Sequence, residues 1–456
     1  MSTYTLTALC VATLLVLGIR TGVWGFLRLV LLVHLVGDLI FAPLWEFLPT
    51  YAWIRYIADP DRQRAALFLA LVVCLTDVAY RLVGRVFSAI RFASTNSSAS
   101  ANGPYEREAT AEPRSFAISF FLAGLFLKLL FLAGAGVLTG QRALGDLKPD
   151  DSVGYGAVVY LADFLIPYGL VAYRRTKRSA RVEIDLLILA FISYFSFSKA
   201  AFITYVVVYG LAYVFAFGHH DAIRQFISWR LVGIVLVAFL ALGIKTQQRA
   251  GSAVELSGSV LGDQAMVGAS ARFMGGIFRA FTVTYREMRA GWPPLGGSYH
   301  EQAVSLAVPR FLWPDKPRVA SEQLYYLLGV TEEAYGTAFA VNAYGAMLFD
   351  FGIAGTLVGA IALGILLRFG DEKIPTWRQL RNAPGRSGTW QFMATAWLFM
   401  AIPLSEGGVP IAIVSFSMLA AAYGLIEGTS RLAYRVVSLA SLSPPLDAGH
   451  PITRQV

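Results

Sequence analysis

Apolar runs about the length of a bilayer crossing alternate along the chain with short stretches rich in arginine and lysine. A helix needs about twenty apolar residues to cross the hydrocarbon core. Runs of that kind fall at 4–19, 26–47, 65–83, 116–138, 153–173, 183–198, 200–217, 231–245, 340–367, 389–404 and 409–427. They predict about eleven transmembrane helices, with roughly ten to thirteen as the range. The expected fold class is an all-α polytopic integral membrane protein. Residues 4–19 lack a basic leader and read as a first span, not as a cleavable signal peptide.

One stretch departs from that alternation. Residues 245–339 form a loop of about ninety residues, the one extramembrane piece long enough to build a site. Inside it, Arg272, Arg279 and Arg286 recur every seventh residue. A heptad step drifts only about 20° on an α-helix, so the three share a face. Phe273, Met274, Ile277, Phe281, Tyr285 and Met288 project from the opposite face. The spacing predicts an amphipathic helix over 270–290 that lies on the membrane or on the other spans.

The basic stretches set the orientation. Arg174-Arg175-Thr176-Lys177-Arg178 with Arg181 is the densest and is placed in the cytoplasm by the positive-inside bias. Counting outward, 84–115, 218–230, 368–388 and the tail after Arg431 are cytoplasmic, the 245–339 loop faces outward, and the N-terminus is outside. The chain then divides into an N-terminal transmembrane bundle (1–244) with a cytoplasmic linker (84–115), the outer loop (245–339), C-terminal transmembrane helices (340–430) and a cytoplasmic tail (431–456). Ser, Asn, Ala, Gly and Glu dominate 93–113, which predicts a flexible linker. Pro444, Pro445 and Pro451 predict a disordered tail.

Composition agrees: 56% of the 456 residues are hydrophobic and 15% charged, which excludes an ordinary soluble domain. The formal net charge of +9 does not imply nucleic acid, because most cations cluster beside spans and no nucleic-acid motif is present. Cys10 and Cys74 both fall in apolar runs, which argues against a disulfide or a metal cluster. No metal or other cofactor is expected. No internal repeat is visible, which weakens an inverted-repeat transporter.

The outer loop carries the candidate chemistry. Arg272, Arg279, Arg286, Arg289, Arg310, Lys316 and Arg318 stand against Glu287, Glu301 and Asp315, so an anionic partner fits. Arginine donates bidentate hydrogen bonds to phosphate and lysine acts as a point charge. Arg272, Arg279, Arg286 and Arg310, with Lys316 in support, are the expected ligands of a phosphate-bearing partner. The same arginines also fit an interfacial helix that merely meets lipid headgroups. His300, in Tyr299-His300-Glu301, is the loop's one histidine and can take a proton from a sugar hydroxyl near neutral pH. Glu301 can do so if it is buried. A surface histidine beside a turn is the plainer reading.

Pro309-Arg310-Phe311-Leu312-Trp313-Pro314-Asp315-Lys316-Pro317 puts three prolines into nine residues, a stiff non-helical loop. Gly296-Gly297-Ser298-Tyr299 lies upstream of it. Asn342-Ala343-Tyr344-Gly345 and Asp350-Phe351-Gly352-Ile353-Ala354-Gly355 lie downstream. Over roughly 270–357 these motifs resemble the outer-loop signature of Wzy-type O-antigen and exopolysaccharide polymerases. The resemblance implies a GT-C-like glycosyltransferase bundle in the bacterial inner membrane with its site facing the periplasm. It also implies an undecaprenyl-pyrophosphate-linked oligosaccharide as donor and as acceptor, a metal-independent transfer, and flippase and chain-length regulator proteins as partners. An O-antigen ligase-like transferase shares this chemistry and stays open, as does a transporter of lipid-linked sugars. The related ligases use an external histidine and arginines without a metal.

Charges inside spans are costly and mark function or pairing. Asp163, Lys199, Asp350 and Glu406 are the candidates, with Asp38 and Asp77 weaker. Lys199 sits where the resembled polymerases often have a Ser-Arg turn, so lysine here departs from that pattern. For Asp350 and Glu406, pairing with an outer-loop arginine and catalysis are both open. Trp313, Tyr299 and Trp292 are candidates to stack on sugar or to set the loop, and Trp313, directly before a proline, is expected to pack. Asp59-Pro60-Asp61 has the Asp-x-Asp form of metal-dependent lipid-sugar transferases, but it reads better as a helix start.

Overall fold

A computed structural model describes residues 59–95, 114–141, 156–177, 182–194, 201–217, 276–305, 313, 342–373 and 388–441. The regular structure among them is helical: α1 (Asp59–Thr95), α2 (Arg114–Gly134), α3 (Gly156–Lys177), α4 (Val182–Tyr194), α5 (Ala201–Phe217), α6 (Gly276–Arg289), α7 (Ser298–Ser305), α8 (Ala343–Lys373), α9 (Gly388–Phe399) and α10 (Ala401–Ser441). Four stretches, Gln63–Ser88, Phe116–Gly134, Ala343–Glu372 and Ala412–Leu432, are long and apolar enough to cross a membrane. The described part is thus all-helical, with four candidate membrane-spanning helices, as an all-α membrane protein requires. The expected spans at 4–19, 26–47 and 231–245 lie outside the described residues.

Several ends differ from those expected. α1 begins at Asp59-Pro60-Asp61 and continues to Thr95, three turns past the expected span end and into the stretch read as linker. α10 continues to Ser441, so the first part of the expected disordered tail is helical. The C-terminal pair breaks at Met400, between α9 and α10, and not between 404 and 409 as the apolar pattern predicted. Pro403 explains why α10 tolerates it, since a proline in the first turn loses no hydrogen bond.

Two helix pairs organise the described core. α2 and α3 run antiparallel, with Phe120 against Tyr168 and Lys128 bonded to Asp163 at 2.8 Å. A Cβ on Gly169 would fall 2.3 Å from the backbone N of Phe121, so only glycine permits this approach. α1 and α8 run parallel: Thr76 donates to the Ala360 carbonyl at 3.0 Å, and Phe87 meets Phe369 further along both. Tyr344 donates to Thr76 Oγ1 at 3.1 Å and closes the contact. Leu67, Leu71, Val78, Leu82 and Val86 line the exposed side of α1, as a lipid-facing helix requires.

α6 packs on α1 and α8. Phe281 and Tyr285 both stack on Phe68 of α1, at 6.2 and 5.1 Å between ring centroids. The described part of the predicted apolar face, Phe281, Tyr285 and Met288, thus packs on other helices. Burial is broader than one face, because Thr282, Val283 and Thr284 are buried too. α6 is therefore inserted at its middle and emerges at its C-terminal end, where Arg289 is exposed.

Candidate functional site

The α6 helix ends at a glycine stop. Gly291, at φ 94°, lets its own N–H reach the Met288 carbonyl at 3.3 Å and the Trp292 N–H reach Glu287 at 3.0 Å. Pro293 and Pro294 then carry the chain to Gly296 and Gly297, both at positive φ, and into α7. This turn lies against a break in α8.

The break is at Gly352, whose φ of 67° and ψ of −167° are closed to side chains with a Cβ. A broken helix leaves carbonyls without their own N–H partners, and buried carbonyls need partners. Leu295 and Gly296 supply them, donating to the Phe349 and Asp350 carbonyls at 3.1 and 2.9 Å. The Asp350 side chain continues the latch. It is wholly buried and accepts from the backbone N–H groups of Tyr299 at 2.9 Å and His300 at 2.8 Å, the first turn of α7. A carboxylate at that place caps the positive end of a short helix.

His300 completes the group. Its ring Nδ1 bonds to Asp350 Oδ2, and its side chain stays 20% exposed. An ionised carboxylate only accepts, so beside one Nδ1 is the donor and Nε2 is the ring nitrogen left over. The ring of Phe351, 46% exposed, lies 5.1 Å from that of His300. Tyr299 is buried beneath, with its ring 6.3 Å from Phe349. Burial first, and then the Asp350 carboxylate, push its hydroxyl up to about 12.

The other expected site residues are distributed as follows. Asp350, for which pairing with an arginine and catalysis were both open, contacts His300. Glu301 is exposed, so the burial on which its role as base depended is not there. Arg286 is paired with its neighbour Glu287, Nη2 to Oε1 at 2.6 Å, and remains partly exposed. Trp313 is 42% exposed and is not the packed residue its place before proline predicted; Trp292 is exposed as well. Asp163 belongs to the buried pair with Lys128, and Asp77 to a pair with Arg81 on its own helix at 2.8 Å. Arg272, Arg310, Lys316 and Lys199 lie outside the described residues, as do the side chains of Arg279 and Glu406. Among the described residues no group of three or more His, Cys, Asp or Glu is placed to hold a metal ion.

Sequence reasoning singled out both halves of the latch, 296–300 and 350–355, without joining them. Nothing in the spacing of residues fifty apart could do so. It passed over Lys128, the buried partner of Asp163, and Asp185, buried against Arg174.

No family model matches this chain, and neither a curated protein nor a solved structure matches it.

Proposed function

We propose that the protein is a metal-independent glycosyltransferase of about eleven spans and GT-C-like architecture. It joins undecaprenyl-pyrophosphate-linked oligosaccharide units into a polysaccharide at the periplasmic face of a bacterial inner membrane. The observation that carries this reading is a histidine whose ring Nδ1 is held by a buried carboxylate, in the same loop as the arginines and the Pro309 to Pro317 motif. Sugar hydroxyls need a base and a departing pyrophosphate needs cations, and that loop supplies both residue types.

In this reading His300 takes the proton of the acceptor hydroxyl as its oxygen attacks the donor's anomeric carbon. Arg272, Arg279, Arg286 and Arg310, with Lys316, hold the pyrophosphate whose bond breaks. Arg286 exchanges Glu287 for phosphate when substrate binds. Lys199 and Glu406 remain supporting candidates, and Trp313, exposed within the motif, is a candidate to stack on sugar.

One observation favours the transporter alternative, because transporters bind substrates at broken helices and α8 is broken at Gly352. Its Phe349 and Asp350 carbonyls are nevertheless taken up by the 295–296 backbone, which makes the break a mounting for the loop.

The test is a chain-length assay on the full protein in nanodiscs with its lipid-linked repeat unit, with and without chelator. Wild type is expected to give ladders that survive the chelator. Arg310→Ala and His300→Ala should each lose about 10² to 10³ in rate. Intact lipid-linked units crossing the membrane without extension would instead establish a transporter, and transfer only to a different acceptor would establish a ligase.

A further inference from the structure

We infer that Asp350 is the positioning residue for His300. It fixes the imidazole with its proton on Nδ1, so that Nε2 is the atom that takes the acceptor proton. The inference rests on the glycosyl-transfer reading above and deepens it by giving a role to a carboxylate inside a membrane-spanning helix.

Three features point the same way. Asp350 has no water exposure, and its oxygens face the ring Nδ1 and the Tyr299 and His300 backbone N–H groups. Those two backbone bonds prevent the carboxylate from turning away, so the His300 contact is held from both sides. The histidine backbone itself is tied to the same oxygen as its ring, which fixes the side chain relative to α7. Finally, the glycine break one residue past Phe351 is what lets Asp350 face the loop instead of continuing a regular helix. A carboxylate that served only to cap α7 would not need the histidine ring. Here the ring and the cap share one group.

The step balances. As the acceptor's O–H bond breaks, its electron pair forms the new bond to the anomeric carbon, and the proton moves to Nε2. The anomeric C–O bond breaks towards the pyrophosphate, which leaves as the lipid-linked anion. The imidazolium, with both nitrogens protonated, is stabilised by Asp350 until Nε2 returns its proton to solvent. Asp350 touches no substrate and keeps its charge throughout.

Asp350→Asn separates this role from capping. With its NH2 facing Nδ1 the amide favours the opposite tautomer and puts a proton on Nε2, while its oxygen still accepts from the Tyr299 N–H and the His300 backbone bond is lost. With the chain-length assay run over a pH series, Asp350→Asn is expected to lower kcat by about 10² to 10⁴. KM should stay within about twofold, and the unfolding midpoint should fall less than in Asp350→Ala, because the Tyr299 bond is kept. Asp350→Glu should recover part of the loss. The acid limb of the wild-type profile, where Nε2 becomes protonated, should be absent in His300→Ala and displaced in Asp350→Asn. Asp350→Ala, which removes cap and partner together, serves as the control for folding.

A wild-type kcat in folded Asp350→Asn would overturn the inference while leaving the polymerase standing. So would a loss that merely follows the folded fraction with an unmoved acid limb. Failure of wild type to extend any glycan would instead overturn the reading on which the inference rests.

Discussion

Asp350 and Asp185 are both wholly buried carboxylates, and they differ in what holds them. Asp185 receives Arg174 as a fork, with Nε at 3.0 and 3.1 Å from its two oxygens and Nη2 at 2.7 Å. Tyr209 adds its hydroxyl at 2.8 Å. The guanidinium keeps its charge at any working pH, so this cluster cannot pass a proton and acts as a staple joining α3, α4 and α5. Asp350 is held by two backbone N–H groups and by an imidazole that is 20% exposed and uses only one of its two nitrogens for the contact. Equal burial therefore carries unequal meaning. The partner's remaining chemistry, not the cost of the buried charge, separates a site from a staple, and on that criterion the Lys128 and Asp163 pair belongs with Asp185.

The strongest way to break this comparison is Arg174→Ala. It leaves the Asp185 charge buried and uncompensated, which is expected to remove about 3–5 kcal/mol of stability. Unfolding in mixed micelles reads the loss. Rate per folded molecule should be unchanged, the reverse of the pattern expected for Asp350→Asn. Unaltered stability with a lost rate would mean that the staple, not the latch, serves the chemistry.

Gly352→Ala is expected to do less to stability and more to the site. The backbone conformation there costs about 1–3 kcal/mol for a residue with a Cβ. The new methyl would also lie 3.2 Å from Pro294 Cγ, so the loop must give way. Both stability and glycan extension should fall together. A variant with normal rate would show that the latch does not need the break.

How much of this was legible in the sequence follows from the range of each signal. Hydropathy is local, so helices at 63–88, 116–134, 343–372 and 412–432 fell where apolar runs predicted them. Helix ends were not legible, because α1 and α10 run on through polar sequence. A Pro-Gly-poor stretch stays helical beyond the bilayer when nothing stops it. The α6 face was legible from its period, whereas the burial of Thr282 and Thr284 was not, since it comes from neighbours on α1 and α8. His300 and Asp350 were each found by type, one as a lone histidine in a loop and the other as a charge in a span. Their union depends on a glycine backbone angle and on eight residues of turn, and no periodicity encodes that.

The smallest expected effect concerns Tyr299, which lies against the same carboxylate. Its hydroxyl is pushed up to about 12, above the ordinary tyrosine value of about 10, because burial and the Asp350 charge disfavour the phenolate. A group raised on folding contributes stability that is complete below the unfolded value and is lost as pH rises through the folded one. Tyr299 should therefore add an alkaline loss of stability between about pH 10 and about pH 12, and nothing at neutral pH. Tyr299→Phe keeps the ring against Phe349 and should remove that component from the unfolding profile. It should leave the acid limb of the rate profile where it is. A shifted acid limb would mean that the tyrosine hydroxyl takes part in holding His300, and the latch would then contain three side chains where the geometry gives two.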